Sequence, residues 1–413
     1  MSLLKANSVQ IGQSATATQN FTLSVPASPD GTIKLARGNS GATTQDILSV
    51  NSSGAVTINN LNNQSFRNRI KNGDCRIDQR NAGASVAWAA NTNGYTIDRW
   101  KLTQNGTVAS TVQRSTVVPT GQGFTNSLLT TITTAETAVG TGNKTGGYYY
   151  MLEGYDTSDF GWGTASAQTI TISFWVRSSV VGTYSFSVMN TSFNRSYNSS
   201  YTITTANTWE KKIFTIPGDT GATSMDTTNG IALSLVFDLG FSPMYESSTA
   251  NAWQGSSSYA LSGCTKLSST VGATFYLTGL QLEVGSTATD FERRPYGTEL
   301  ALCQRYYNRQ EGTAAAGNYF PLCNGYMYSS YQWESVYFFP VEMRVSPVFS
   351  SSALSTLVLR VTGTALTSLD SYSPNTKSTL LYTTNVAAGA AGYAQGLAVK
   401  PSSTGFIQFS AEL

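Results

Sequence analysis

The stretch Thr169-Ile170-Thr171-Ile172-Ser173-Phe174-Trp175-Val176 decides the fold. Side chains of an extended strand alternate between two faces. Ile170, Ile172, Phe174 and Val176 therefore share one face, and Thr171, Ser173 and Trp175 share the other. A helix would scatter both sets around its axis. Outward from here, Thr183 to Met189 alternates likewise, with Tyr184, Phe186 and Val188 opposite Ser185 and Ser187. Strand-like runs also cover Trp209 to Ile216, Ile231 to Leu239 and Thr274 to Val284. Breakers such as Thr205-Ala206-Asn207-Thr208 and Pro217-Gly218-Asp219 separate them. Many short alternating runs at this spacing predict an all-β sandwich or jelly roll.

The flanks differ from this centre. Residues 1–65 are small, polar and turn-rich, and Phe21 is the only aromatic before Phe66. Thr32 to Ala36 reads as a strand, and Ile47 to Ile58 as two short strands around an Asn-Ser-Ser-Gly turn. So few large apolar groups bury too little surface for independent stability. The segment is expected to lean on copies of itself or on a partner. Thr298 to Arg309 is the one helix expected. Thr298 can cap it, Glu299 suits its first turn, and Leu300, Cys303 and Tyr307 share a face. That face is expected to meet its equivalents at a symmetry axis. Residues 313–413 return to β patterning, with a dense aromatic run from Tyr326 to Phe339 and a final strand from Gly405. The expected plan is an attachment segment over 1–65, a central jelly roll over 66–297, a connecting helix over 298–312 and a distal β domain over 313–413. No repeat of fixed period runs through the chain, which disfavours solenoids and propellers.

Composition removes whole classes of function. The 413 residues include no histidine, so Ser-His-Asp and Cys-His catalysis, His-based zinc sites and imidazole pH switches are excluded. Carboxylate chemistry survives that cut. Lys+Arg is 25 and Asp+Glu is 23, with charged residues at 12%, about half the ordinary share. Without basic runs, nucleic-acid binding is not expected. No stretch nears the roughly 18 apolar residues of a membrane span, so membrane insertion is not expected either. Met1-Ser2-Leu3-Leu4-Lys5 opens no secretory signal, and cytoplasmic assembly with release by lysis is expected. Cys75, Cys264, Cys303 and Cys323 match no metal spacing and read as free thiols rather than a Cys303–Cys323 bridge.

Four motifs follow one another in order. They are Asn72-Gly73-Asp74-Cys75-Arg76-Ile77-Asp78-Gln79-Arg80-Asn81, then Tyr95-Thr96-Ile97-Asp98-Arg99-Trp100. Ser173-Phe174-Trp175-Val176-Arg177-Ser178-Ser179 comes third, with Asn207-Thr208-Trp209-Glu210-Lys211. Gln281-Leu282-Glu283-Val284-Gly285 through Glu292 is fourth, and Cys303-Gln304-Arg305-Tyr306-Tyr307 follows it. In this order, over roughly residues 70 to 310, they resemble the central domain of tailed-bacteriophage tail-fibre and receptor-binding proteins. That domain is similar to a carbohydrate-binding-module jelly roll. The resemblance implies a homotrimeric virion protein, docked by its N-terminus to a tail or baseplate and presenting distal β domains to a host-surface polysaccharide. A capsid-anchored head fibre, decoration or baseplate element without a receptor role is the alternative, and a polysaccharide depolymerase a second. The resemblance supplies no catalytic residues, and no enzyme activity is expected. Asp156 and Asp159 are spaced suggestively for glycoside hydrolysis, as any two loop acids are.

Sugar binding needs flat rings for the apolar face of a pyranose and polar groups for its hydroxyls. Three regions offer both. The first holds Tyr148, Tyr149, Tyr150, Tyr155, Asp156 and Trp162. The second holds Tyr245, Trp253 and Gln254, and the third Tyr326, Tyr328, Tyr331, Trp333 and Glu334. Core packing is the competing reading for each ring. Trp100, Trp209 and Phe174 are expected in the core. Trp175, with Thr171 and Ser173 on its face, is expected to point away from it, toward a sugar or, preferably, beneath a loop or neighbouring subunit. No cofactor is required. Asp74, Asp78, Glu283 and Asp290 could hold a structural Ca2+, and pairing with Arg76, Arg80 or Arg293 is the competing use.

Overall fold

The computed structural model describes residues 8–11, 21–24, 33–39, 42–50, 56–58, 66–138, 145–221, 225–384, 386 and 390–413. The chain divides into two compact units, Met1–Phe66 and Arg67–Leu413. In the first, Ser8–Ile11, Phe21–Ser24, Ile33–Asn39, Ala42–Val50 and Val56–Ile58 form one antiparallel sheet in chain order. Val50 pairs with Val56, and the turn expected between them lies outside the described residues. Among the residues of this sheet whose side chains are described, Thr22 and Ala36 are buried.

The second unit is all-β apart from one α-helix and a few short 3-10 turns among its described residues. Its first half is the jelly-roll sandwich. One sheet runs, in spatial order, Glu210–Ile216, Ile170–Ser178, Thr274–Val284, Ser127–Thr134, Ala109–Ser115 and Val86–Trp88. The facing sheet runs Trp253–Gln254, Ser196–Ile203, Gly182–Asn190, Ile231–Asp238, Thr145–Glu153, Trp100–Asn105 and Asn93–Ile97. The inner residues are those the alternation assigns: Ile170, Ile172, Phe174 and Val176 from one sheet, Tyr184, Phe186 and Val188 from the other, all fully buried. Phe174 anchors them, edge-on to Phe237 at 5.2 Å and Tyr201 at 5.4 Å, and stacked on Phe214 at 5.9 Å. Burying one such ring contributes about 1.5–3 kcal/mol. Trp100 lies in the same core, whereas Trp209 does not. Trp209 is half-buried and packs edge-on against Tyr276, 6.0 Å away.

The helix is shorter and earlier than expected, Tyr296–Gln304. Tyr307 opens the strand Tyr307–Thr313, which pairs with Thr404–Ser410 over its whole length. Backbone pairing with that distant strand ends the helix before Tyr307 can share its face. Cys303 and Tyr307 are buried inside their own chain, and only half-buried Leu300 retains some exposure. The Tyr307 hydroxyl donates to Gln408 Oε1 at 2.5 Å, and the Arg80 guanidinium lies 3.6 Å over its ring. The subunit-interface role expected of Cys303 and Tyr307 is therefore corrected: their own chain occupies both side chains.

Residues beyond the helix build a second sandwich. Tyr307–Thr313, Thr404–Ser410 and Val348–Ser351 face a seven-stranded sheet centred on Phe320–Ser329 and Gln332–Phe338. An ionic cluster ties the two halves. Glu412 pairs with Arg99 at 2.6 Å and Arg80 at 2.9 Å, and the Arg99 guanidinium lies 3.6 Å over Tyr306. Glu153 holds Arg305 at 2.5 Å and accepts the Tyr306 hydroxyl at 2.5 Å.

Candidate functional site

Outside the core, the six-stranded sheet of the jelly roll carries a groove of 330 Å³, lined by Gly121, Gln122, Phe124, Ser173, Trp175, Lys211, Gly279, Asp290, Phe291 and Arg293. That volume falls in the about 300–1,000 Å³ range of small-ligand sites. Its floor follows from strand alternation. Ser173 and Trp175 face outward because Phe174 faces in, and Trp175 stands opposite Lys211 on the neighbouring strand. On the other side the ladder with Thr274–Val284 slips between Ser173 and Trp175. Gly279 sits at that slip with φ +64°. A Cβ there would fall 2.6 Å from Phe124 Cζ and 3.2 Å from Trp175 Cδ1. Only glycine allows both the left-handed turn and the close approach of the two rings.

Two segments make the walls. Thr278 Oγ1 donates to Asn126 O at 2.8 Å, holding the loop that carries Gln122 and Phe124. Gln281 Oε1 accepts from the Glu292 amide at 2.8 Å, holding the segment that carries Asp290, Phe291 and Arg293. Phe124 and Phe291 meet edge-on at 5.2 Å, and the Arg293 guanidinium lies 4.6 Å over Phe124 and 5.4 Å over Phe291. Arg293 also donates to Gln122 O. Lys211 and Asp290 are exposed, and neither forms a side-chain hydrogen bond or ion pair among the described residues. The groove thus offers a half-buried indole, two further rings, and free donors and an acceptor. That set can stack on an apolar ring face and hydrogen-bond the hydroxyls around it.

The aromatic residues singled out by sequence as sugar contacts in three regions lie elsewhere, and most have structural work. Tyr148 and Tyr150 point into the core: the Tyr148 hydroxyl meets Thr130 Oγ1 at 2.6 Å, and Tyr150 donates to Lys71 O at 2.8 Å. Tyr149 faces the other way into a cluster with Phe241, Tyr245 and Tyr259. Burial pushes the phenols of Tyr148, Tyr149 and Tyr150 up, so they stay protonated. Tyr148, Tyr149 and Tyr150 are corrected from glycan contacts to packing residues, because strand alternation directs them onto packed faces, and Tyr245, in the turn Pro243–Tyr245, packs on Phe241 and Tyr259. Trp162, from a loop, and Trp253, from the edge strand Trp253–Gln254, meet edge-on at 5.1 Å. Trp162 Nε1 donates to Gln168 O and Trp253 Nε1 to Pro217 O, each at 2.8 Å. Gln254 accepts from Ser247 and donates to Thr249 O. Tyr155 stays exposed, but Asp156 pairs with Lys71 and Asp159 with Arg69. In the second sandwich Trp333 is fully buried and donates to Gln395 O at 3.1 Å, so it too is core. Tyr326, Tyr328 and Tyr331 are exposed, and Glu334 accepts from Gln332 at 2.8 Å.

The four acids considered for calcium have partners or a separate place. Asp74 pairs with Arg76 at 2.5 Å. Asp78 accepts the amides of Asn81 and Gly83 at 3.0 and 2.8 Å. Glu283 takes the amide and hydroxyl of Thr289, and Asp290 lines the groove. No group of three or more metal-ligating side chains forms among the described residues. All four cysteines are free thiols. Of the groove residues, sequence reading singled out Trp175 and its outward direction. It did not connect Trp175 with Lys211, Phe124, Phe291 and Arg293, although Gly279, interrupting an alternating strand, marked where the ladder would slip.

No protein-family model and no curated protein sequence matches the chain. Several solved structures share part of its architecture. The enzymatically active domain of tailspike protein 4 from bacteriophage CBA120 aligns at 13% identity and a TM-score of 0.32, over 54% of this chain and 22% of that chain. The family 11 carbohydrate-binding module from Clostridium thermocellum aligns at 13% identity and a TM-score of 0.26, over 50% of this chain and 98% of that one. The CBM22-1 xylan-binding domain from Paenibacillus barcinonensis aligns at 14% identity and a TM-score of 0.24, over 50% and 99%. Likenesses this shallow carry no function across.

Proposed function

We propose that this chain is a receptor-binding fibre protein of a tailed bacteriophage that grips a host-surface glycan through the groove over Trp175, without cleaving it. The groove carries the sugar reading: a half-buried indole beside two aromatic rings, with the Lys211 ammonium on the neighbouring strand and the Asp290 carboxylate on the wall. The ordered motifs over residues 70 to 310 support the phage assignment. On this reading the protein is a homotrimer, fixed to the tail or baseplate through its N-terminal sheet. Residues 1–65 are small and polar, with Phe21 their only aromatic, which supports a segment completed by other copies. Binding without hydrolysis is supported by Asp156 and Asp159, each already held by a cation.

The test is adsorption competition. Purified full-length chain at rising concentration should block attachment of the phage to its bacterium, and light scattering should return three times the chain mass. Undiminished adsorption at saturating protein would overturn the receptor role. A stable monomer would overturn the trimer. New reducing ends from incubated host polysaccharide would convert the binder into a depolymerase.

A further inference from the structure

The charges around the groove select among glycans. Buried cations of this unit sit against carboxylates, as Arg99 and Arg80 do against Glu412. Around Trp175 the pattern reverses. Lys211 stands in register with Trp175 and has no ion pair among the described residues. Arg293 spends its guanidinium on two ring faces and a carbonyl, none of which carries a negative charge. Arg177, one outward position beyond Trp175, lies 4.8 Å over Tyr276 and donates to Asn207 O, again without a carboxylate. Asp290 is the only acid lining the groove among the described residues. In a chain with near balance of charge, three cations thus flank one indole with one anion among them.

Resting on the glycan reading above, we infer that the groove takes an acidic glycan whose pyranose rings carry carboxylates. The pyranose face meets Trp175, and the carboxylate meets Lys211 and Arg293. A planar guanidinium matches a carboxylate with paired N–H groups, and an ammonium adds a point charge. Asp290 decides between anions. A singly charged carboxylate tolerates it and offers hydroxyls for it to accept, whereas a doubly charged phosphate is repelled about twice as strongly. Rim charges of this kind set specificity and salt dependence more than raw affinity.

Calorimetric titration of the full chain with a panel of polyuronate oligomers and their methyl esters tests the inference. Esterification keeps the ring and its hydroxyls and removes the charge. At least one free acid should bind about tenfold or more tighter than its ester in about 20 mM salt, and the gap should shrink in about 200 mM salt. Lys211→Met and Arg293→Met, which keep much of each apolar stem, should each narrow the acid–ester gap. Equal affinity for acid and ester, or a gap unmoved by both substitutions, overturns the inference and leaves glycan binding intact. Binding of neutral glycans alone overturns the inference in the same way. No binding to any acidic or neutral oligomer overturns the inference and the glycan reading together.

Discussion

Asp98 shows what a single residue does in a chain without histidine. Its carboxylate is fully buried and is pushed up to about 6 by burial, against the opposing effects of Arg80 and of hydrogen bonds from Gln79. A chain with no imidazole and few charged residues would be expected to titrate little near neutrality, and Asp98 departs from that. The folded state holds this proton more tightly than the unfolded chain does. Its stabilising contribution is full below the ordinary aspartate range near 3.8 and is lost as pH rises through about 6. Wild type should therefore lose on the order of 3 kcal/mol relative to Asp98→Asn between about pH 4 and pH 7. Urea denaturation of both proteins across that interval checks this. A difference that stays flat with pH would show that burial does not govern Asp98.

At the scale of elements, the strand Thr274–Val284 does two jobs that conflict. Its inner residues Phe275, Leu277, Leu280 and Leu282 all reach the core. They do so across the slip at Gly279, which changes the outward parity and admits the Phe124 and Trp175 rings. Gly279→Ala should cost about 1–3 kcal/mol and displace the groove wall, weakening sugar binding as well as folding. Gly272→Ala is the matched control: φ is +78° there, and a Cβ meets nothing within 4 Å. It should carry the backbone cost alone and leave binding as it was. Thermal melts with binding curves for both variants separate the two effects, and equal behaviour would remove the groove from the account.

The same strand explains what could be read from sequence. The faces of Ile170–Ser178 and Gly182–Asn190 were legible residue by residue, because period two leaves no freedom once one face is apolar. A glycine interrupting the alternation marks the place of the slip at Gly279, but neither its form nor the rings it admits were legible, since these depend on partners over 100 residues away. Alternation also says which way a ring points, but not whether a second layer covers it. Tyr149 and Tyr245 were read as candidate sugar contacts and belong to a packed cluster with Phe241 and Tyr259. The helix was placed correctly in order and misjudged in length, because the strand that ends it lies at residues 404–410.

At the scale of the whole second unit, Glu412 closes the fold. It neutralises Arg99, which is 1% exposed, and pairs with Arg80. Removing one partner of a buried pair strands the other charge, at about 3–5 kcal/mol. Glu412→Ala should therefore lower the denaturation midpoint by that equivalent, although residue 412 lies far in sequence from residues 80 and 99. A loss under about 1 kcal/mol would mean that the two sandwiches do not depend on this cluster. Such coupling has a functional consequence, since it fixes the second sandwich relative to the face that carries the groove.

The central claim is that Trp175 is a sugar platform, and a glycan array probed with the full chain and with Trp175→Ala tests it most directly. Trp175 is half-buried on the outer face, so the variant should keep the wild-type melting temperature to within a few degrees. Wild type should retain a defined set of glycans, and Trp175→Ala should lose about tenfold or more in affinity for every member of that set. Retention of the same glycans at unchanged affinity by the variant would contradict the claim.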